Sequence, residues 1–296
     1  MVGKIARGTC VRFATVQTTI GIGLAVADQD GSMRFSSEAG SNDLLILLRH
    51  GPEALTEAGR KLARAPEIDP ARITYLPVLT NPEKIICAGL NYADHSAESG
   101  FKQPDYPALF PRFASSLIGH KAPIVRPLAS DTLDYEGEVA AIVGRGGRHI
   151  PVATALDHIA GYALFNDASV REFQFKGGSQ WTMGKNFDGT GAFGPWFVTA
   201  DELPRGLRGL RLQTRLNGQM VQSASTDDLV FDIATLVSLI SQGITLVAGD
   251  VIVSGTPAGV GHARTPRLYM HAGDVCEVEL EGLGVLVNPI ADEVLA

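Results

Sequence analysis

Leu133-Asp134-Tyr135-Glu136-Gly137-Glu138-Val139 runs without a break into Ala140-Ala141-Ile142-Val143. In an extended chain, successive side chains point to opposite faces. Asp134, Glu136 and Glu138 then share one face, and Tyr135, Gly137 and Val139 the other. The apolar residues that follow carry this strand into an interior. Like charges one strand repeat apart repel, and carboxylates crowded at a buried site must protonate or meet a cation. On its own, a Glu-x-Glu pair reads as a solvated acidic face. Joined to a core strand, it reads as an all-oxygen site for a hard divalent ion, Mg²⁺ or Mn²⁺, with Ca²⁺ a third candidate.

Outward from this segment the chain keeps the same character. Short apolar, β-branched runs recur at Lys84–Ala88, Gly161–Phe165, Trp196–Thr199, Leu210–Leu216, Asp250–Ser254 and Asp274–Leu280, with glycine or proline turns between them. One amphipathic helix is expected over 227–242, where Leu229, Val230, Ile233, Leu236, Val237 and Ile240 recur at helical spacing. Ser225 or Thr226 can cap it, and Gly243 ends it. The runs do not alternate strand with helix, which argues against a Rossmann fold or a TIM barrel. The N-terminal part differs. Residues 9–35 read as a hairpin or meander around Asp28-Gln29-Asp30-Gly31. Two short helices follow, over 42–50 (started by Ser41 or Asn42) and 53–65. A turn-rich loop through Pro66, Asp69 and Pro70 leads to a boundary near 70–80. The expected division is a small α+β domain over 1–75 and a mostly β unit over 76–296, an α+β fold in sum.

The chain has 296 residues, 45% of them apolar and 19% charged. That is a globular composition. The 33 glycines suit a strand-rich fold with many tight turns. A formal charge of −7, with no basic run, argues against nucleic-acid binding. Cys10, Cys87 and Cys276 are scattered and form no metal-binding or disulfide pattern; Cys87, within an apolar run, reads as core. No stretch is long and apolar enough to span a membrane, and the N-terminus lacks a signal-peptide core, so the expected location is the cytoplasm. No Gly-Lys-Ser/Thr ending makes the glycines of Gly255–Gly261 a phosphate loop, and no Gly-x-Ser-x-Gly elbow occurs.

A third acid lies at the end of an apolar strand, in GYALFND (161–167). Asp167 can be a turn residue or another ligand to the same ion. His95 and Glu98 share one face of a helical turn. A glutamate so placed can fix an imidazole tautomer, although such a pair is more often a surface contact.

The ordered motifs KIICAGLNYADHSAE (84–98), DYEGEVAAIVG (134–144), GYALFNDASVREFQ (161–174), MGKNFD (183–188), GPW (194–196), LNG (216–218), GDVIVSGTPAGVG (249–261) and GLGVLVN (282–288) resemble the fumarylacetoacetate hydrolase family. The resemblance covers residues 80–290. It implies a mixed β-sandwich roll of the fumarylacetoacetase C-terminal type and a homodimer. By this resemblance Glu136, Glu138 and Asp167 bind the metal, and Asp134 orients the site without binding it. His95 and Glu98 form the catalytic dyad, and Lys185 faces substrate. Arg171 and Gln174 contact substrate or metal-bound water, Tyr92 borders the pocket, and Thr256 hydrogen-bonds the substrate carboxylate. One departure is Ser169-Val170-Arg171-Glu172, where the family often has Ser-Ala-Arg-Asp; this points to tuning for substrate. The expected reaction is metal-dependent hydrolysis of a C–C bond in a small 2,4-dioxo acid, of the acylpyruvate or fumarylpyruvate type found in aromatic catabolism. It releases pyruvate and a second acid. The alternative keeps the site and changes the reaction to that of a decarboxylase, hydratase or isomerase of a 2-oxo acid. A non-catalytic oxo-acid binding module is the third reading, and the joint presence of His95, Glu98 and Lys185 argues against it.

Overall fold

The computed structural model describes residues 12–27, 32–36, 43–98 and 105–295, without the side chains of 95–97. Strands β1 (Arg12–Thr18), β2 (Gly21–Ala27) and β3 (Met33–Ser36) form the expected antiparallel meander. Cys10, the turn at 28–31 and the caps Ser41 and Asn42 lie outside the described residues. Helix α1 (Leu44–His50) is capped by Asp43, whose side chain accepts the Leu45 N–H at 2.8 Å. Gly51, at φ 91°, ends α1, and Pro52 begins α2 (Pro52–Leu62) at once. The second helix stops short of residue 65 because Arg64 and Ala65 donate to the carbonyls three residues back, which tightens the last turn before Pro66. Strands β4 (Glu67–Ile68) and β5 (Thr74–Tyr75) then pair with β3 and β1.

The rest begins with β6 (Ile85–Gly89), α3 (Ala93–Glu98), β7 (Ala108–Arg112), β8 (Leu117–Ile118) and β9 (Ile124–Arg126). Next come β10 (Leu133–Asp134), β11 (Gly137–Val143), α4 (Val152–Ala155), β12 (Ile159–Asp167) and β13 (Ser169–Val170). Helices α5 (Arg171–Lys176) and α6 (Thr182–Lys185) lead to β14 (Gly191–Thr199). The chain closes with β15 (Arg211–Leu216), β16 (Gln219–Ser225), α7 (Ile233–Gly243), β17 (Val251–Val253), β18 (Val275–Leu280) and β19 (Gly284–Asp292). The large sheet runs β4-β3-β2-β1-β14-β12-β11-β17-β6-β7, with β5 also on β1 and β8 also on β14. A second sheet runs β16-β15-β18-β19-β9. The fold is sheet-dominated α+β. The N-terminal meander continues the large sheet, with Phe13 opposite Phe197 across β1 and β14.

β11 lies in the middle and is buried on both faces. Val139, Ala141 and Val143 pack between the two sheets with Leu212, Val278 and Leu286. Ala140 and Ile142 pack on the opposite face with Leu44, Leu48 and Leu55 of α1 and α2. Each fully buried valine or isoleucine contributes about 1.5–3 kcal/mol. Gly137 faces the second sheet, and a Cβ there would lie 2.1 Å from Thr214 Oγ1, so the sheets approach this closely only because the residue is glycine. Glu138 falls on the opposite face, by the alternation that the sequence predicts.

Two further expectations change. The run from Leu133 is not one strand: β10 leaves the large sheet to pair with β13, and Tyr135 and Glu136 form the bend. Asp134 drives this, because its carboxylate accepts N–H groups from Tyr135, Gly261 and His262. The long helix starts at Ile233, not 227, and includes Gly243. Ser225 caps a separate turn at Thr226–Asp228, Val230 and Phe231 donate to Asn91, and Asp232 caps the helix. No helix among the described residues is long and apolar enough to cross a membrane.

Candidate functional site

Antiparallel pairing places Gly137 of β11 opposite Asn166 of β12, so Glu138 and Asp167 emerge at the same end of neighbouring strands. Glu136, in the bend just before β11, completes a buried trio whose ligand atoms all lie within 4.8 Å of one another. Buried charges need compensation. Lys185 Nζ lies 2.6 Å from Glu136 Oε2 and 2.6 Å from Asp167 Oδ2. Arg171 Nη1 lies 2.5 Å from Glu136 Oε1, its Nε donates to Asp134 Oδ2 at 2.8 Å, and Arg112 pairs with Asp167. Burial alone would lower the Lys185 ammonium, but the Asp167 and Glu136 charges outweigh it and hold its pKa above the ordinary value.

Glu138 is the exception. Its Oε2 accepts the Gly255 N–H at 2.6 Å, and no ion pair reaches it among the described residues. Burial, then the Asp167 and Glu136 charges, push its pKa well above the carboxylate range. Four buried carboxylates face three cations here, and the deficit of positive charge falls on Glu138. This oxygen-only donor set and its charge deficit fit a hard divalent cation.

Gly255 has φ 96°, and a Cβ there would meet Ala88 O at 2.7 Å and Asn91 Cβ at 2.8 Å. Glycine therefore lets the loop bring its N–H to Glu138. Thr256 Oγ1 donates to Gly137 O and accepts from Gln222 Nε2, so its hydroxyl is engaged within the protein. Arg171 Nη2 is buried and has no hydrogen-bond partner among the described residues. Such an orphan beside a cavity marks a place for an acceptor.

The cavity holds about 290 Å³ and is lined by Glu136, Glu138, Arg171, Gln174, Lys185 and Thr256, with Phe110, Phe175, Trp181, Val260 and His262 forming other walls. Six of the ten residues named from the sequence therefore line this one cavity, and Asp167 reaches it through its trio. Gln174 Oε1 accepts from Arg171 Nη1. Tyr92 is buried, bridges to Leu229 and is not among the cavity-lining residues. Glu98 accepts the Gly259 and Val260 N–H groups, which ties α3 to the glycine-rich loop beside the cavity. His95 belongs to α3, but its side chain lies outside the described residues. Sequence reasoning missed Arg112, Gln222, Trp181 and His262. The only signal for His262 was its place directly after Gly261.

Residues 84–291 match the family model described as "Fumarylacetoacetate (FAA) hydrolase C-terminal". The mitochondrial oxaloacetate tautomerase of Rattus norvegicus is 38% identical over 248 residues, covering 83% of this chain and 79% of that protein. A mitochondrial oxaloacetate tautomerase of Homo sapiens is 38% identical over 245 residues, covering 82% of this chain and 78% of that protein. The solved fumarylacetoacetate hydrolase of Exiguobacterium antarcticum superposes with a TM-score of 0.82 at 34% identity, over 96% of this chain and all of that one. The 5-carboxymethyl-2-hydroxymuconate delta-isomerase of Mycobacterium smegmatis does so with a TM-score of 0.75 at 30% identity, over 95% of this chain and all of that one.

Proposed function

Since the chain belongs to the fumarylacetoacetate hydrolase family, we propose that it interconverts the keto and enol forms of a small 2-oxo acid at a divalent cation held by Glu136, Glu138 and Asp167. The observation that carries this reading is the charge-deficient trio placed beside Lys185 and the unpartnered Nη2 of Arg171. The bound cation would polarise the 2-oxo group and acidify the neighbouring C–H. Lys185 offers positive charge to the enolate oxygen as it develops. Arg171 Nη2 receives a carboxylate oxygen. Phe110, Trp181 and Phe175 restrict water, and about 290 Å³ is at the small end for ligand sites, roughly 300–1,000 Å³. His95 carries the proton to and from carbon, on the turn that Glu98 anchors.

The relatives named as oxaloacetate tautomerases favour this reading over cleavage. Hydrolysis of a 2,4-dioxo acid, with His95 activating water, stands second. It is supported by the anchoring of α3 beside the cavity. The test follows enol absorbance of oxaloacetate and of 2,4-dioxo acids, with chelated enzyme and with enzyme resupplied with Mg²⁺ or Mn²⁺. Metal-dependent relaxation with no new acid supports the tautomerase. Equimolar pyruvate and a second acid would establish hydrolysis instead, and carbon dioxide would establish decarboxylation. In either leading reading His95→Ala abolishes turnover and leaves metal affinity intact.

A further inference from the structure

His262 stands at the edge of the cavity with its ring held from three sides. Its backbone N–H donates to Asp134 Oδ2 at 2.9 Å, the same oxygen that takes Arg171 Nε at 2.8 Å. The ring packs on Phe175 with centroids 5.1 Å apart. Nδ1 lies 2.7 Å from the Tyr269 hydroxyl, and the Arg267 guanidinium lies close by. A phenolic O–H can donate to Nδ1 as well as accept from it; with Tyr269 as the donor, the imidazole carries its proton on Nε2. No protein group among the described residues hydrogen-bonds Nε2.

We infer that His262 determines specificity, donating from Nε2 to the second carboxylate of a 2-oxo diacid whose first carboxylate and oxo group lie at the trio. The inference rests on the 2-oxo acid reading above. The trio end of the cavity is rich in acid and has no room electrostatically for another unpaired carboxylate. His262 lies on the Arg171 side of the trio, near Arg171 and Arg267, with Asp134 the carboxylate that faces it. His262 Nε2 is open there, next to the Arg171 Nη2 that takes the first carboxylate. Burial, then the Arg171 and Arg267 charges, hold His262 below its ordinary pKa, so it is a neutral, single N–H donor at pH 7. Asp134 sets both donors at once, because one of its oxygens binds Arg171 and the backbone of His262.

The test compares oxaloacetate with 2-oxobutanoate, which has the same four carbons and no second carboxylate. Dissociation constants come from calorimetry on the full Mg²⁺-loaded chain, and KM and kcat from enol absorbance. Wild type is expected to bind the diacid at least tenfold more tightly than the monoacid. His262→Ala is expected to shrink that ratio to within about threefold, chiefly through KM. His262→Gln keeps an N–H near Nε2 and is expected to retain most of the preference, while Tyr269→Phe, which frees the tautomer, is expected to lose part of it. These two variants carry the test if His262→Ala fails to fold. An unchanged ratio in His262→Ala overturns the inference, as does a wild type with no diacid preference. A fall in kcat on both acids with KM unmoved also overturns it, and assigns His262 to proton transfer. Diacid-selective binding without turnover sinks the tautomerase reading alone and leaves this inference standing.

Discussion

Replacing Lys185 with methionine keeps the length of the side chain and removes the ammonium from between Glu136 and Asp167. Lys185 is 1% exposed, and both carboxylates it touches are buried. Removing one partner of a buried ion pair costs about 3–5 kcal/mol. Arg171 still holds Glu136 and Arg112 still holds Asp167, so the low end of that range applies. At roughly 2–4 °C per kcal/mol for large domains, the variant in chelator should melt about 6–12 °C below wild type. The same change leaves two uncompensated negative charges in the cluster instead of one, so added Mg²⁺ should bind more tightly to the variant. Stabilisation by mass action is about 2.7 kcal/mol at a hundredfold excess over Kd. The gap in Tm should therefore narrow as Mg²⁺ rises. Turnover should still fall about 10²–10³-fold, because the charge that meets the enolate is gone. Differential scanning calorimetry with chelator and with graded Mg²⁺ decides it. A variant that melts within 1–2 °C of wild type in chelator, or that gains no more from Mg²⁺ than wild type does, refutes the reasoning.

Glu138→Gln keeps the acceptor for Gly255 and removes the charge that no cation offsets; Mg²⁺ affinity measured by calorimetry should fall at least tenfold, about 1.4 kcal/mol, while stability in chelator holds or rises. Gly255→Ala sets a Cβ against Ala88 O and Asn91 Cβ in a positive-φ conformation; urea denaturation should show a loss of about 2 kcal/mol or more, and a variant as stable as wild type would mean that the loop is not fixed there. His120 accepts the Val287 N–H at Nδ1, and burial, then Lys121, pull its pKa down to about 4. The unfolded chain takes up this proton near pH 6.5 and the native chain does not, so stability should fall as pH drops from about 6.5 toward 4, on the order of 2 kcal/mol. His120→Asn, which keeps an acceptor without a titrating ring, should flatten that slope in urea melts across this range; an unchanged slope would remove His120 from the account.

The sequence was most readable where a periodicity was strict and local. The alternation around Glu138 gave both the core strand and the facing of its carboxylate, since one register satisfies both. Asp167 was readable as the polar end of an apolar strand. The break at Tyr135–Glu136 was not, because it is caused by N–H groups of Gly261 and His262, more than a hundred residues away. The late start of α7 has the same kind of cause: Leu229 and Val230 fit the helical spacing, but Asn91 and Tyr92 claim that backbone for a bridge. Arg112 was hidden for a further reason. A lone arginine in Phe110-Pro111-Arg112 carries no mark of the aspartate it meets across the sheet.

The pairing of β1 with β14 bears on how this architecture can be cut or recombined. The matched region begins at residue 84, yet Phe197 and Val198 of β14 find their ladder partners in Phe13 and Arg12. A chain trimmed to that region would leave this half of β14 as a bare sheet edge with an apolar face beside it. Such an edge is a template for strand addition from another molecule, and hence for aggregation. In this chain the N-terminal meander covers that strand, so it acts as a shield for the 84–291 unit as well as an extension of its sheet.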